Sequence, residues 1–197
     1  MQLLRIRYLI LLSSILMGCG SAYKNLHHVE GSTACVQEFV PNYEKNWYTA
    51  SIDVRGHHLS GLLLIKEMPD GSQRIVFTNE LGVSFFDFEF SETGFRVIQV
   101  MDKLDIKAVI KTLQQDFELL LLKGLQTATI KKYAADASSY YAYPWDGKVN
   151  YIITTDVCEL VRLERGSEKK ILVQIEFEGN QENSEKIIIQ HFNFDMQ

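Results

Sequence analysis

HLSGLLLIKEM (His58–Met68), QRIVFTNE (Gln73–Glu80), VSFFDFEF (Val83–Phe90) and FRVIQVM (Phe95–Met101) are followed by DIKAVIKTLQQDFELLLL (Asp105–Leu122). The first four runs read as consecutive strands and the fifth as an amphipathic helix. Turns of two to four residues join the strands, which makes them antiparallel. Met68-Pro69-Asp70-Gly71 is a turn by mechanism, because proline presets φ and Asp-Gly suits positive φ. In the helix, Ile106, Val109, Ile110, Leu113, Phe117, Leu120 and Leu121 recur at spacings of three and four, with Lys107, Lys111, Gln114, Gln115 and Glu118 between them. That stripe needs a sheet to lie on. Asp102 is expected to cap this helix and Gly124 to stop it.

Working outward, Trp47–Val54 opens the sheet, with Tyr48, Ala50, Ile52 and Val54 on one face. The second half returns to strands at Thr127–Ala134, Ser139–Pro144, Lys148–Thr155, Cys158–Arg165, Lys170–Glu178 and Lys186–Phe194. Asp146-Gly147 is a strong turn signal between two of them. The expected class is α+β, mainly antiparallel β: about eleven strands in a curved sheet or half-barrel, covered by one helix. Leu62-Leu63-Leu64-Ile65 is apolar on both faces. Ile75 and Phe77, continued by Val83 and Phe85, are expected on one face, and Phe86, Phe88 and Phe90 on the other. Two readings of this doubled apolarity stay open: a thick core covered on both sides, or a concave face holding an apolar cavity.

The chain has 197 residues, 46% hydrophobic and 23% charged, enough for one domain with a sizeable core. A net charge of −5 argues against a nucleic-acid partner, which would need a basic surface. Arg5 and Arg7 precede the apolar run Tyr8–Met17, which is too short to span a bilayer and has the form of a secretion signal. It ends in Leu16-Met17-Gly18-Cys19, which resembles a bacterial lipobox. The resemblance implies cleavage after residue 18, a lipidated Cys19 (palmitate or a similar acyl chain), and, since Gly20 is not aspartate, the periplasmic face of the outer membrane. Residues 19–34 would then be the lipidated terminus and a tether, and 35–197 the folded domain.

Three cysteines are present. With Cys19 lipidated, Cys35 and Cys158 remain as an even pair in an oxidising compartment, either bridged or as two buried thiols. Neither His27-His28 nor His57-His58 with His191 makes a convergent metal set, and no metal or cofactor is expected. Asp87, Glu89 and Glu92 read as solvated strand charges rather than an acid–base pair, and no nucleophile elbow, phosphate loop or dinucleotide fingerprint occurs. The chain is therefore not read as an enzyme. Tyr140-Tyr141-Ala142-Tyr143-Pro144-Trp145 is either strand packing at the rim of the barrel or a sugar-stacking or membrane-interface patch.

The element order, the lipobox and the doubly apolar run from Gly61 to Leu122 together resemble the LolA/LolB lipoprotein-carrier superfamily. The resemblance implies a half-open barrel whose concave face receives acyl chains or lipoprotein cargo, with a lining drawn from Leu62, Leu64, Ile75, Phe77, Phe86, Phe88, Val109, Leu113 and Phe117. The outer-membrane member of that family carries an exposed apolar residue on a protruding loop. The turn taken to correspond, Pro69-Asp70-Gly71-Ser72, is short and polar. The functional expectation is a monomeric, lipid-anchored binder of acyl chains or lipoproteins. The alternative is a structural or assembly lipoprotein filled by its own side chains.

Overall fold

The computed structural model describes residues 21–37, 39, 44–54, 57–167, 169–180 and 183–192. It is mostly β. The strands are β1 (His27–His28), β2 (Lys45–Val54), β3 (His57–Glu67), β4 (Gln73–Thr78), β5 (Ser84–Ser91), β6 (Gly94–Val100), β7 (Lys131–Ala135), β8 (Ser138–Trp145), β9 (Lys148–Thr155), β10 (Leu160–Gly166), β11 (Ile171–Asn180) and β12 (Asn183–His191). The helices are α1 (Ala34–Gln37) and α2 (Lys107–Leu120), with a 3-10 turn at Asp102–Leu104. All twelve strands form one open curved sheet in the order β1-β7-β8-β9-β10-β11-β12-β2-β3-β4-β5-β6. The described sheet has twelve strands rather than the expected eleven; it includes β1, a two-residue strand paired with β7 that no periodicity could reveal.

Two antiparallel meanders, β2–β6 and β7–β12, meet at one parallel pair, β12 with β2, where Ile187 faces Ala50 and Ile189 faces Ile52. Every other neighbouring pair is antiparallel. α2 touches β2 and β10 and meets β5 through Phe117, although three strand positions separate β10 from β2 and three more separate β2 from β5. A flat sheet could not present all three to one helix, so α2 lies in the concavity.

Val109, Leu113, Phe117 and Leu120 are buried there, each side chain contributing roughly 1.5–3 kcal/mol of transfer free energy. Asp102 does not cap the helix. It opens the 3-10 turn, and Ile106 stands at the N-cap with no side-chain cap bond. The other end closes as a Schellman motif: Lys123 N–H donates to Glu118 O and Leu122 N–H to Leu119 O, with Leu122 at φ 49° and Gly124 at φ 82° beyond it.

The strand ends form two rims. The upper one carries the ends of β2, β4, β6, β8, β10 and β12, and the lower one carries the 67–73, 91–94, 135–138 and 155–160 turns. Where a tether is expected, the described residues from 21 onward are already held against the sheet. Ala22 N–H bonds Lys169 O at the upper rim, and the Tyr23 ring stacks on Tyr151 at 4.3 Å on the convex face. After β1 the chain turns into the concavity, where Val36 of α1 is buried in the main core. A disulfide joins Cys35 to Cys158 at the lower rim, and the Tyr141 hydroxyl lies 3.5 Å from Cys35 Sγ.

Candidate functional site: the concave face and its upper rim

The register decides which side chains meet. Ile75 pairs with Phe88, Phe77 with Phe86, Leu63 with Phe77 and Ile65 with Ile75. Cross-strand partners share a face. Ile75, Phe77, Phe86, Phe88 and Phe90 therefore all point into the concavity with Leu63 and Ile65, and all are buried. The division of phenylalanines between two faces is corrected: β5 enters one residue after Val83, which lies outside and is exposed, and its bulge at Phe77/Thr78 sets the phase. Among the expected lining residues Ile75, Phe77, Phe86, Phe88, Val109, Leu113 and Phe117 converge. Leu62 and Leu64 do not. They alternate with Leu63 and Ile65, so they sit on the convex face, Leu62 with 40% of its surface exposed.

The centre of the concave wall is aromatic. Phe86 stacks on Phe88 at 4.5 Å between centroids, and Phe117 reaches Phe86 at 5.5 Å and both Phe88 and Phe90 at 6.4 Å. Gly61 faces the same interior. A Cβ there would lie 2.0 Å from Thr78 O, so the close approach of β3 to the end of β4 depends on having no side chain.

The 140–145 aromatic run resolves into packing. Tyr141 and Tyr143 point into the main core, Tyr140 packs on a smaller convex cluster with Tyr151 and Ile153, and Trp145 Nε1 donates to Glu118 Oε2 at 3.0 Å. Burial pushes the Tyr143 hydroxyl up to about 12, although Asn150 Nδ2 donates to it at 3.2 Å. Asp87 and Glu89 flank Arg74 on the convex face, and Arg96 bonds Glu89 at 2.8 Å, so these carboxylates form an ion-pair ladder. His27 and His28 are exposed on β1, the latter edge-on to Tyr133. No group of three or more potential metal ligands occurs among the described residues.

Sequence reasoning missed a polar site at the upper rim. α2 brings Asp116 to the end of β12, where both carboxylate oxygens lie 3.0 Å from His191 Nε2. Both side chains are buried. Burial raises the Asp116 carboxyl above its ordinary value, and the bond and charge of His191 pull it back. Beside them Arg165 of β10 is only 2% exposed. Its Nη2 lies 3.5 Å from the Trp145 and Asp146 carbonyls and from Asp146 Oδ2, while its Nη1 is buried with no hydrogen-bond partner. These groups open on a cavity of about 140 Å3 whose apolar wall includes Leu172 and Phe192. The signal available in sequence was the charged pair Glu164-Arg165 inside an otherwise regular strand: alternation puts one of the two inward. Glu164, the outward one, is covered by the N-terminal segment, with Tyr23 Oη donating at 3.0 Å and Arg162 Nε at 2.7 Å.

An exposed apolar turn lies at a place the sequence reading did not single out. The 69–72 turn is polar, closed by Asp70 accepting from Ser72 N–H and Oγ–H. The β4–β5 turn instead projects Leu81, 89% exposed, with Val83 exposed beside it, on an Asn79 side chain that accepts from Leu81 and Val83 N–H. That turn stands on the upper rim, as does the point where the chain enters at Ala22. Cys19 and the rest of residues 1–20 lie outside the described residues. No described helix is long and apolar enough to cross a membrane. Comparison with protein-family models, with curated proteins and with solved structures finds no match to this chain.

Proposed function

We propose that the chain is a lipid-anchored envelope protein, held through Cys19 on the periplasmic face of the outer membrane, that takes an acyl chain or the lipid part of a lipoprotein between α2 and the curved sheet in the manner of a LolB-like half-barrel. The observation that carries this reading is the concave wall: an aliphatic and aromatic surface running across the sheet, covered by a single amphipathic helix. An acyl chain is held by area alone, at about 0.8 kcal/mol per buried methylene, and needs no covalent step. The aromatic side chains fill the centre, so a tail enters by displacing α2 from Phe86 and Phe88.

The upper rim fits the membrane-facing role. It carries exposed Leu81 and Val83, exposed Lys148, Lys169 and Lys170, and the entry of the chain two residues after Gly20. The turns of the lower rim expose Glu67, Asp70, Glu92, Asp136, Asp156 and Glu159, a negative edge that an anionic lipid surface repels.

One observation favours a second reading. The upper-rim cavity and a second one under the N-terminal segment, lined by Tyr23, Tyr140, Arg162 and Glu164, are small and polar-edged, about 140 and 130 Å3, and the interior aromatics contact one another. That suits a structural or assembly lipoprotein with a filled core. Native mass spectrometry of the chain made in bacteria separates the two. Co-purified lipid, or saturable uptake of a fluorescent fatty acid, supports the carrier; a clean apo mass with no uptake removes it. The anchor is tested separately, by incorporation of a clickable palmitate that Cys19→Ser abolishes.

A further inference from the structure

We propose that the upper-rim cavity between α2 and the ends of β9–β12 is a binding site for a small organic monocarboxylate, a site independent of any acyl chain in the concavity. The argument begins with Arg165. A guanidinium always carries its charge and presents five donors. This one is 2% exposed, yet Nη1 has no acceptor and Nη2 has only 3.5 Å contacts to Trp145 O, Asp146 O and Asp146 Oδ2. A buried cation so poorly partnered costs free energy unless something bonds it, and Arg165 lines the cavity.

The neighbouring groups favour a single negative charge. Asp116 is already engaged by His191, both carboxylate oxygens lying 3.0 Å from Nε2. Asp146, the other carboxylate near Arg165, is about half exposed and is also bonded by Lys111 Nζ at 3.4 Å and Gln115 Nε2 at 3.3 Å. That leaves Arg165 together with Lys148, whose exposed side chain lines the mouth. A dianionic phosphate would be repelled by Asp116 and Asp146 more strongly than a monocarboxylate. A carboxylate needs only the Arg165 fork and the Lys148 ammonium.

The rest of the lining sets the chemical class. Leu172 and Phe192 make an apolar wall, so the carboxylate carries a hydrocarbon part. A volume of about 140 Å3 is that of a benzene-sized guest and excludes a long acyl tail. Short aliphatic or simple aromatic acids fit.

The test uses the full chain purified in a non-ionic detergent, with butyrate and benzoate as probes, butyramide as the neutral isostere and inorganic phosphate as the competing anion. Binding is read by isothermal titration and by proton chemical-shift changes of the His191 ring. Saturable butyrate or benzoate binding, with butyramide and phosphate at least tenfold weaker, is expected. Lys148→Gln, at an exposed strand start, should weaken the carboxylates several-fold and leave the melting temperature unchanged. Arg165→Met should abolish binding. If Arg165→Met does not fold, Lys148→Gln alone decides. No saturable binding at tens of millimolar overturns the site, as does equal binding of butyrate and butyramide, or an affinity untouched by Lys148→Gln. Failure here leaves the fatty-acid uptake assay of the concavity unaffected, so the two readings fall separately.

Discussion

Gly124 is where the chain leaving α2 presses on the end of β8. It holds φ 82°, and an added Cβ would lie 2.1 Å from Trp145 Cε3. Trp145 cannot swing away cheaply, because its indole is bonded to Glu118. Gly124→Ala should therefore cost about 2–3 kcal/mol, combining left-handed strain with overpacking; urea denaturation with an unchanged m-value would verify it. Asp146 gives a pH-dependent counterpart. A hydrogen bond from Gln115, with Lys111 and Arg165 nearby, holds its carboxyl below the ordinary 3.8. A depressed acid contributes stability above its unfolded pKa and loses it as pH falls through the folded value. Asp146→Asn keeps the turn, since asparagine also accepts positive φ before Gly147. The variant should be less stable by about 0.5 kcal/mol at pH 7, a figure kept small for a half-exposed group. The gap should close as pH falls below the ordinary 3.8 and through the depressed folded value, read in parallel thermal melts.

At the scale of elements, α2 and the β4–β5 turn carry opposite expectations. Phe117→Ala removes the ring that meets Phe86, Phe88 and Phe90, and should destabilise by about 3–5 kcal/mol. Leu81→Glu removes nothing buried and should leave the melting temperature within a degree or two. On the proposed function it should weaken transfer of a fluorescent acyl probe to vesicles containing anionic lipid, whereas Asp70→Asn on the other rim should not.

The existence of these elements was legible in sequence because period-two and period-3.6 patterns report directly on burial. Their facing was less so. Four successive apolar residues, Leu62 to Ile65, satisfy both phases, and only pairing with Phe77 and Ile75 puts Leu63 and Ile65 inside. A two-residue strand such as β1 has no period at all. The upper-rim cavity was invisible for a different reason: Asp116, Arg165 and His191 come from three elements whose proximity is set by the curvature of the sheet.

For the whole molecule, the Cys35–Cys158 bridge ties the N-terminal segment to the second meander across 123 positions. In the loop-entropy model such a closure is worth about 4–5 kcal/mol. Reduction should lower the denaturation midpoint and expose two further thiols to Ellman's reagent after unfolding. Protein made in an oxidising compartment that already shows both thiols would contradict the bridge.

The parallel seam sets the order of assembly. A ribbon synthesised amino end first delivers β2 early and β12 last among the described strands. Until β12 is delivered, the inner edge of the first meander stands open with its amides and carbonyls unsatisfied, a template for any passing strand. Completion of the sheet thus hinges on the last strand to be made, and a nascent chain cut short before it keeps a sticky flank open to its neighbours.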